Sequence, residues 1–478
     1  MVSFRDPAGF VFQREGRVFR CVHPDAVETV QAFLDSPLAA EWSGDGRIPR
    51  TMRLDEESGR RVSADAAPGL PTGSVVFEHE AIEFPSYPYE WPPEMLRSAG
   101  ALTLDLARAA MRAGFALKDA TPYNVMFRGP QAVFLDISSL ERRDPLESIW
   151  RPYAQFVRTF VYPLLACGRF GLRMDEILLP HRDGLEPERV AALCPAYKLL
   201  LPPFLSAVTL PALLDRTRGD ARPGDYRARK AKDSDEATFL LERLFNRASG
   251  LLRSAIPRRR RSEAARYMET GRNYGPPEFA EKERILEWVF ERLQPAKVLD
   301  IGCNTGHFSL MAARAGARVV ALDRDPDSID LLWRRAAEEQ ACILPLVVDI
   351  TRPPGGCGWA NRECQSFLDR ARGRFDCVLM LALVHHLLVG ERIPLAEVVE
   401  LAAGLTTKLA VIEYVDPGDS QIARIARGRE CLHRELTREN FEAAVRRRFR
   451  IVEARDASPT RRVYVLNKEG VESCRAGC

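Results

Sequence analysis

The sequence lacks the signatures of several protein classes. Eleven cysteines among 478 residues are scattered without the spacing of a disulfide framework, which indicates reduced thiols in a cytosolic protein. Cys357 and Cys364 resemble a pair, but neither a CxxC doublet nor a matching histidine cluster accompanies them. We therefore predict no zinc site and no other metal.

A membrane span is not expected either. The N-terminal stretch MVSFRDPAGF has an early charge and no apolar core of the signal-peptide type. The most apolar long segment, residues 193–214, contains Lys198 and four prolines, which oppose a spanning helix. We interpret this segment as buried helix and turn, and we predict a cytoplasmic protein without a membrane partner.

A strong charge imbalance is also missing. Lys and Arg number 69 against 66 Asp and Glu, for a net charge of +3, so the molecule as a whole has no strong attraction to nucleic acid. A chain of this length is too long for one ordinary core, and more than one domain is expected.

The best domain boundary is a shift in composition at residues 253–266. Pro257 is followed there by four consecutive arginines, Arg258, Arg259, Arg260 and Arg261. We predict a first domain over 1–252, a basic linker over 253–266 and a second domain over 267–478. The alternative for the arginines is a phosphate or RNA contact, but no aromatic residues interleave with them as in a stacking platform.

The second half alternates between strand and helix patterns. Five apolar runs predict parallel strands at 297–301, 318–322, 344–348, 376–381 and 409–414, with helices at 279–293, 327–340, 394–405 and 437–449 between or beside them. A closing antiparallel pair is predicted at 450–454 and 462–466. This order predicts an α/β fold with a doubly wound, mostly parallel, seven-stranded Rossmann-like sheet.

The first predicted strand ends in a glycine turn, KVLDIGCNTGHFSL at 297–310. A dinucleotide fingerprint G-x-G-x-x-G would need glycines at Asn304 and His307. The observed pattern, D-x-G-x-N-x-G, omits this pyrophosphate cradle. Asp323 and Asp349 each close a following apolar strand pattern, and an acid at the end of the second strand can accept both ribose hydroxyls. The pattern therefore favours an adenosine ligand without phosphates.

This series resembles motif I and its partners in class I S-adenosylmethionine methyltransferases. The resemblance implies S-adenosyl-L-methionine as cofactor, with Asp349 pairing with the adenine amino group. The residues expected around the cofactor are Asp300, Gly302, Asn304, Gly306, Asp323, Asp349 and Leu381. Taken singly, each acid has the alternative of a helix cap or turn residue.

The segment after the fourth strand, LALVHHLL, contains His385 and His386. Members of this family often have such a pair beside donor and acceptor, so either ring is a candidate to take the acceptor's proton. The alternative is a histidine that packs against the sheet. No [DN]-P-P-[YF] sequence and no evident cysteine nucleophile follow this strand. We predict methyl transfer to a small-molecule or glycan-type acceptor at oxygen.

Two further groups are candidates for a lid or an acceptor pocket. Tyr267, Arg272 and Tyr274 precede the first helix of the second half, and Glu413 and Tyr414 end the fifth strand. In similar enzymes the first of these segments folds over the cofactor. An ordered loop between domains is the alternative.

In the first half, LKDATPYNVMF followed by AVFLDISS resembles the catalytic and metal-binding segments of protein kinases and aminoglycoside phosphotransferases. Asp119 matches the base position, and Asn124 and Asp136 match the metal ligands. Leu117-Lys118 departs from the usual His-Arg, and no glycine-rich loop or V-A-I-K lysine precedes it. We predict an α+β, degenerate kinase-like domain. The alternatives are a nucleotide-binding or phosphotransferase module, or a coincidental turn.

Smaller predictions for this half are a hairpin at 9–22, a helix at 24–38, irregular chain or short strands at 44–72 and a helix at 99–113.

Nearly the full length, from PAGFVFQREGRVFR onwards, resembles a bacterial family of long methyltransferases grouped with nodulation proteins of the NoeA type. The alternative function is an RNA methyltransferase tethered by the arginine run.

Overall fold

The computed structural model describes residues 5–64, 71–212, 230–257, 262, 276–426 and 436–468. The chain divides into two compact units. The first comprises Met1–Arg259 together with Cys357–Cys364, and the second comprises Arg260–Gly356 with Gln365–Cys478. No helix within the described ranges has the length and apolar character that a membrane crossing requires.

The first unit begins with a four-stranded antiparallel sheet. Its strands are β1 (Gly9–Arg14), β2 (Arg17–Val22), β3 (Thr51–Arg53) and β4 (Val75–His79), in the order β1-β2-β4-β3. The predicted hairpin at 9–22 is confirmed. Its two-residue turn places Glu15 and Gly16 at φ values of 51° and 77°, a conformation that matches the twist of the flanking strands.

Two predictions for this region are wrong in detail. The single helix predicted at 24–38 is two helices, Pro24–Leu34 and Pro37–Gly44, because Ser36 caps the second by accepting the Ala39 N–H at 3.2 Å. The region 44–72 contains the short strand β3, in agreement with the prediction, but also the helix Glu56–Ser63, which was not predicted. Asp55 starts that helix by accepting the Ser58 N–H at 2.8 Å.

Four short strands follow the long helix Pro93–Arg112. They are β5 (Phe115–Leu117), β6 (Val125–Arg128), β7 (Gln131–Phe134) and β8 (Leu140–Arg142), and they pair as β5-β8 and β6-β7, both antiparallel. The predicted helix at 99–113 is the larger part of the observed one, whose buried face includes Leu96, Leu104 and Leu106.

The elements that the structure describes between residues 153 and 255 are helices. They are Tyr153–Phe156, Val157–Val161 (a π-helix), Tyr162–Phe170, Met174–Leu178, Pro187–Leu193, Ala196–Leu200 (a 3-10 helix), Leu205–Thr209 (a π-helix) and Ser234–Ala255. The interpretation of residues 193–214 as buried is wrong for several side chains. Leu193, Tyr197, Leu200, Leu201 and Leu210 are exposed, whereas Val208 is fully buried. Short helices broken by prolines cannot keep one apolar face towards a core.

The second unit has a seven-stranded sheet in the order β11-β10-β9-β12-β13-β15-β14. The first five are parallel, and β15 and β14 are antiparallel. The strands are β9 (Lys297–Ile301), β10 (Arg318–Asp323), β11 (Ile343–Val347), β12 (Phe375–Met380), β13 (Thr406–Val415), β14 (Arg450–Ser458) and β15 (Arg461–Asn467). The prediction of a mostly parallel, seven-stranded Rossmann-like sheet is confirmed.

The helices of the second unit accompany this sheet, and several of them bury an apolar stripe. They are Pro276–Leu293, His307–Arg314, Pro326–Glu338, Phe367–Ala371, Leu395–Leu405, Ser420–Ala426 and Arg438–Val445. Ile285, Leu286 and Val289 from the first of them are buried against Val298 and Leu379 of the sheet. The order of strands reverses between β9 and β12, so the carboxyl ends of these strands border the crevice where α/β folds bind ligands.

Candidate cofactor and acceptor site

The turn after β9 has three residues with left-handed backbone. Gly302, Asn304 and Gly306 have φ values of 77°, 51° and 77°. The Gly302 and Cys303 N–H groups donate to the Leu322 carbonyl at 2.8 and 2.9 Å, which ties the turn to β10. A Cβ at Gly306 would lie 2.2 Å from Leu332 Cδ1. The predicted glycine pattern therefore reflects both backbone conformation and close packing.

Asp300 lies beneath this turn rather than at its surface. Its side chain is buried, and Oδ2 accepts a hydrogen bond from Ser309 Oγ at 2.6 Å. Burial raises the pKa of the Asp300 carboxyl to about 7, against the opposing effect of the Ser309 hydroxyl. Ser309 belongs to the helix that starts after Gly306. This hydrogen bond thus connects β9, which precedes the turn, to the helix that follows it.

The raised pKa of Asp300 gives a prediction for stability against pH. Since the folded-state pKa lies above the unfolded value of roughly 3.9, this group's contribution is complete below about pH 4 and is lost as the pH rises to about 7. We expect Asp300→Asn to flatten the pH dependence of the unfolding free energy in that window, by up to about 1.4 kcal/mol per pH unit. Urea titrations at half-unit intervals measure it. Parallel profiles for the two proteins would contradict the prediction.

Asp323 ends β10 and connects two neighbouring loops. Its Oδ2 accepts the Asn304 N–H at 2.9 Å, and its Oδ1 accepts the Asp325 N–H at 2.9 Å. Burial raises the pKa of this carboxyl, and the two backbone donors oppose that rise. Each carboxylate oxygen can accept a second hydrogen bond. Asp323 therefore combines support of the glycine turn with capacity for two ligand hydroxyls.

Asp349 lies two residues beyond the end of β11. Its Oδ1 accepts hydrogen bonds from the Thr351 N–H at 2.9 Å and the Thr351 hydroxyl at 2.7 Å, so the loop forms a local turn on the aspartate. The Val348 N–H donates to the Asp323 carbonyl at 3.0 Å. The three acids thus lie at the carboxyl ends of adjacent parallel strands, Asp300 near the end of β9, Asp323 at the last position of β10 and Asp349 just beyond β11.

The two histidines after β12 differ in environment. His385 is 2% exposed, and its Nδ1 has no hydrogen-bond partner within the described part of the chain. Burial, followed by the charge of the neighbouring His386, lowers the pKa of His385 to about 2. His386 is exposed and its ring centroid lies 4.4 Å from that of His385. Its pKa is also lowered, first by partial desolvation. Both rings are neutral near pH 7.

Glu413 and its ion-pair partners form a buried network under the loop that carries Leu381. The Glu413 carboxylate, fully buried, binds Lys282 Nζ at 2.6 Å and accepts the Ala382 N–H at 2.8 Å. Arg461 lies 3.5 Å from Glu413 and 2.9 Å from Asp419. Ala382 has a left-handed φ of 49°. Glu413 thus fixes the start of the loop that continues to His385.

Sequence reasoning missed Lys282, Asp419 and Arg461. A signal existed for Lys282, because it lies three and four residues before Ile285 and Leu286, on the apolar stripe of its helix. Tyr414 is buried, and its hydroxyl donates to the Leu436 carbonyl at 3.1 Å. The prediction that Glu413 and Tyr414 shape an acceptor pocket stays a prediction. Tyr267, Arg272 and Tyr274 lie outside the described residues, as do the four arginines of the predicted linker.

The first unit brings Asp119 and Asp136 into electrostatic contact. Burial, then the charge of Asp136, raises the pKa of Asp119. The Leu135 N–H donates to the Asn124 carbonyl at 2.8 Å, which places Asn124 beside the exit of β7. However, Arg20 Nη2 lies 3.0 Å from Asp136 Oδ1, and Arg20 Nη1 donates to Ser138 Oγ at 2.7 Å. A guanidinium therefore already pairs with the carboxylate that matches a metal-ligand position of kinases.

Comparison with known proteins identifies the family. A family model described as a methyltransferase domain matches residues 265–454, which contain the glycine turn and the three acids. Nodulation protein NoeA of Rhizobium meliloti (strain 1021) is 31% identical over 462 residues, covering 94% of this chain and 92% of the relative. This chain belongs to the NoeA family. It is an S-adenosylmethionine-dependent methyltransferase.

Other similarities cover part of the chain. A 53-residue stretch is 43% identical to the cypemycin N-terminal methyltransferase of a Streptomyces species, covering 11% of this chain and 22% of that protein. The crystal structure of N-methyltransferase NodS from Bradyrhizobium japonicum WM9 is 14% identical, with a TM-score of 0.31, and covers 41% of this chain and 99% of NodS.

The residues present fit S-adenosylmethionine as the cofactor of this NoeA-family chain. Gly302, at the start of the left-handed turn, is exposed and has no side chain that would obstruct a ligand. Asp323 retains acceptor capacity for hydroxyls. A spacing that would cradle a pyrophosphate is missing at Asn304 and His307, which agrees with a ligand that contains no phosphate.

Proposed function

We propose that this enzyme methylates a hydroxyl oxygen of a small-molecule or glycan-type acceptor. The observation that carries the proposal is the exposed, neutral His386 directly after β12, next to the buried His385. A hydroxyl must lose its proton as its oxygen gains a methyl group, and a neutral imidazole can accept that proton. When bound, S-adenosylmethionine supplies an electrophilic methyl group on a sulfonium.

In this proposal, different residues at the sheet edge bind different parts of the cofactor. Gly302, Asn304 and Gly306 surround its methionine part with backbone groups, above the buried Asp300. Asp323 accepts the ribose hydroxyls, Asp349 pairs with the adenine amino group, and Leu381 covers the base. The support is that these residues follow adjacent strands and that Asp323 already orders the turn through the Asn304 N–H. Orientation then contributes most of the rate, as in other in-line displacements.

Asp323→Ala tests the cofactor assignment. We expect S-adenosylhomocysteine affinity to fall roughly 100-fold, because the variant loses both ribose acceptors and the anchor of the glycine turn, each a hydrogen bond to a charged group. Isothermal titration calorimetry measures the change. Asp376→Ala is the matched control, since Asp376 also accepts two backbone N–H groups, from Ala296 and Lys297, but at the start of β9. Unchanged binding in Asp323→Ala would refute the assignment.

Comparative metabolite profiling tests the acceptor. Cells with the wild-type enzyme are compared with cells carrying Asp323→Ala, and the methylated product missing from the latter is characterised. An O-methyl ether supports the proposal. An N-methyl product, or a methylated RNA tethered by the arginines at 258–261, would contradict it. The nearly balanced net charge of +3 favours the small acceptor over RNA.

The histidines give a second test of the oxygen chemistry. With the acceptor known, we expect His386→Ala to lower kcat by roughly 100-fold or more, the usual contribution of a general base. His385→Ala, which removes a buried ring, is expected to change stability as well. If both variants lost the same amount of kcat and the same amount of stability, the two histidines would act through packing alone, and the proposed base would be contradicted.

For the first unit we propose a degenerate kinase-like domain that is retained as a scaffold or as an acceptor-binding module and does not transfer phosphate. The order helix Pro93–Arg112, β5, β6, β7, β8 carries Asp119, Asn124 and Asp136 in neighbouring loops. The specific observation is the ion pair between Arg20 and Asp136 at 3.0 Å, which occupies the carboxylate with an internal cation. We expect ATP with magnesium to give no thermal shift. A magnesium-dependent shift lost in Asp136→Ala would instead support a nucleotide-binding module.

A further inference from the structure

Residues Cys357–Cys364, with the sequence CGWANREC, form a short hairpin that belongs to the first unit, although the chain on both sides belongs to the second. The two cysteines face each other at its base. The Cys357 N–H donates to the Cys364 carbonyl at 3.0 Å, and the Cys364 N–H donates to the Cys357 carbonyl at 3.1 Å. The chain reverses through Gly358, Ala360 and Asn361, all with positive φ.

This pairing has the geometry of a disulfide site. Residues that exchange both backbone hydrogen bonds in an antiparallel pair have Cα atoms about 5.5 Å apart. That separation lies within the range of disulfides, whose Cα atoms are usually about 4.4–6.8 Å apart. The two thiols are free, and they hydrogen-bond to each other. The backbone thus brings the two Cα atoms within the range of a disulfide.

Ion pairs hold the hairpin in place independently of the thiols. The Glu363 carboxylate, only 7% exposed, pairs with Arg5 and with Arg182 and accepts the Trp359 N–H at 3.1 Å. These contacts fix the segment next to Cys364. The two cysteines thus remain opposite each other whether or not they are bonded.

The two thiols have unequal environments. Cys357 is partly exposed, and its Sγ lies 4.0 Å from Tyr89 Oη. The hydrogen bond from Cys364, supported by Tyr89 and the charge of Arg182, lowers the pKa of Cys357 to about 6. Cys364 is 1% exposed, and its pKa is raised, mainly by its hydrogen bond to Cys357 and by burial. One thiol is therefore suited to react with a solvent oxidant, and the other is suited to resolve the product.

We propose that Cys357 and Cys364 form a reactive dithiol that hydrogen peroxide converts to an intramolecular disulfide. The Cys357 thiolate attacks one peroxide oxygen, the O–O bond breaks, and the released hydroxide takes a proton to become water. Cys364 then attacks the Cys357 sulfenic sulfur. The S–O bond breaks, the Cys364 proton leaves with the hydroxide as a second water, and the S–S bond forms. Two thiols are oxidised and one peroxide is reduced to two waters.

Peptide mapping of the full-length protein tests the bridge. Trypsin cleaves after Arg362, between the two cysteines, so the disulfide joins two peptides that separate on reduction. We expect the joined species to appear at stoichiometric peroxide and to be missing in Cys357→Ser. In Cys364→Ala, a dimedone adduct on Cys357 is expected instead. Failure to form the joined peptides at tenfold excess peroxide, with the exposed Cys342 oxidised in the same sample, would overturn the proposal.

The pH dependence of alkylation separates a reactive dithiol from an ordinary pair. In the wild type, the rate of iodoacetamide labelling of Cys357 is expected to rise with pH, with its midpoint at about pH 6. In Cys364→Ala the midpoint should move towards about 8.5, the ordinary cysteine value, because the hydrogen-bond donor is lost. The midpoint is compared rather than the absolute rate. A lower pKa increases the thiolate fraction but makes each thiolate less nucleophilic, so the two effects partly cancel in the rate. An unshifted midpoint in Cys364→Ala would overturn the role of Cys364.

Discussion

Gly306→Ala is expected to destabilise the second unit by about 2–5 kcal/mol and to abolish binding of S-adenosylhomocysteine. Two costs combine. An alanine at φ of 77° adopts a left-handed conformation that costs roughly 1–2 kcal/mol. Its Cβ would lie 2.2, 2.6 and 2.8 Å from three atoms of Leu332, and overpacking of a core costs roughly 1–3 kcal/mol more.

Leu332 cannot yield cheaply because its side chain is fully buried in the helix Pro326–Glu338. The turn would have to move instead, together with the start of the helix His307–Arg314. Since the Asn304 N–H and the Asp323 carboxylate meet in this turn, its displacement separates the groups that we assign to the cofactor.

Gly316→Ala is the matched control for this prediction. Gly316 has a φ of 94°, but a Cβ there meets no atom within 4 Å, so only the conformational cost of roughly 1–2 kcal/mol applies. Urea unfolding and calorimetry with S-adenosylhomocysteine compare the two variants. Equal destabilisation by both would show that contact with Leu332 is unimportant and would contradict the packing argument.

Lys282→Met is expected to cost about 3–5 kcal/mol of stability, the usual effect of breaking a buried ion pair from one side. Lys282 and Glu413 are 1% and 0% exposed, and their charged atoms lie 2.6 Å apart. Burial lowers the pKa of Lys282, and the carboxylate of Glu413 opposes that effect. Without the lysine, the carboxylates of Glu413 and Asp419 still pair with Arg461, so two negative charges face one positive charge.

This substitution should also weaken cofactor binding. Glu413 holds the Ala382 N–H at 2.8 Å, and Ala382 begins the loop that leads to His385 and His386. Repulsion from Asp419 is expected to displace Glu413 and loosen that loop. Calorimetry therefore provides a second readout, distinct from the unfolding free energy.

Two variants sharpen the test of Lys282. Arg284→Met changes a cation on the same helix that forms an exposed pair with Glu281, and it should cost less than about 1 kcal/mol. Lys282→Met combined with Glu413→Gln restores the charge balance and should recover part of the loss. A stability of Lys282→Met within 1 kcal/mol of the wild type, or no recovery in the double variant, would contradict the network's role.

The strand predictions in the second unit succeeded for a local reason. Each parallel strand contains a short apolar run, and the run of β9 ends at a glycine turn, so β9 was predicted at its observed bounds, Lys297–Ile301. The placement of Asp323 and Asp349 at one edge of the sheet could be predicted from the strand ends alone, because the carboxyl ends of parallel strands share that edge. In the first unit, the predicted and observed helices differ where a side chain caps a helix start, as Ser36 and Asp55 do.

The sequence by itself determined the fold of the second unit, the absence of a pyrophosphate-type glycine pattern, and the order of the acids at the carboxyl ends of its strands. These features are local, since they depend on periodicity and spacing within a few residues. Only the tertiary structure decided that Glu413 is buried against Lys282, 131 residues away. It likewise decided that Arg20 neutralises Asp136 and that Cys357 faces Cys364 inside the first unit. Charge pairs and thiol pairs form between distant segments, and no pattern in one segment records which partner the fold will bring to it.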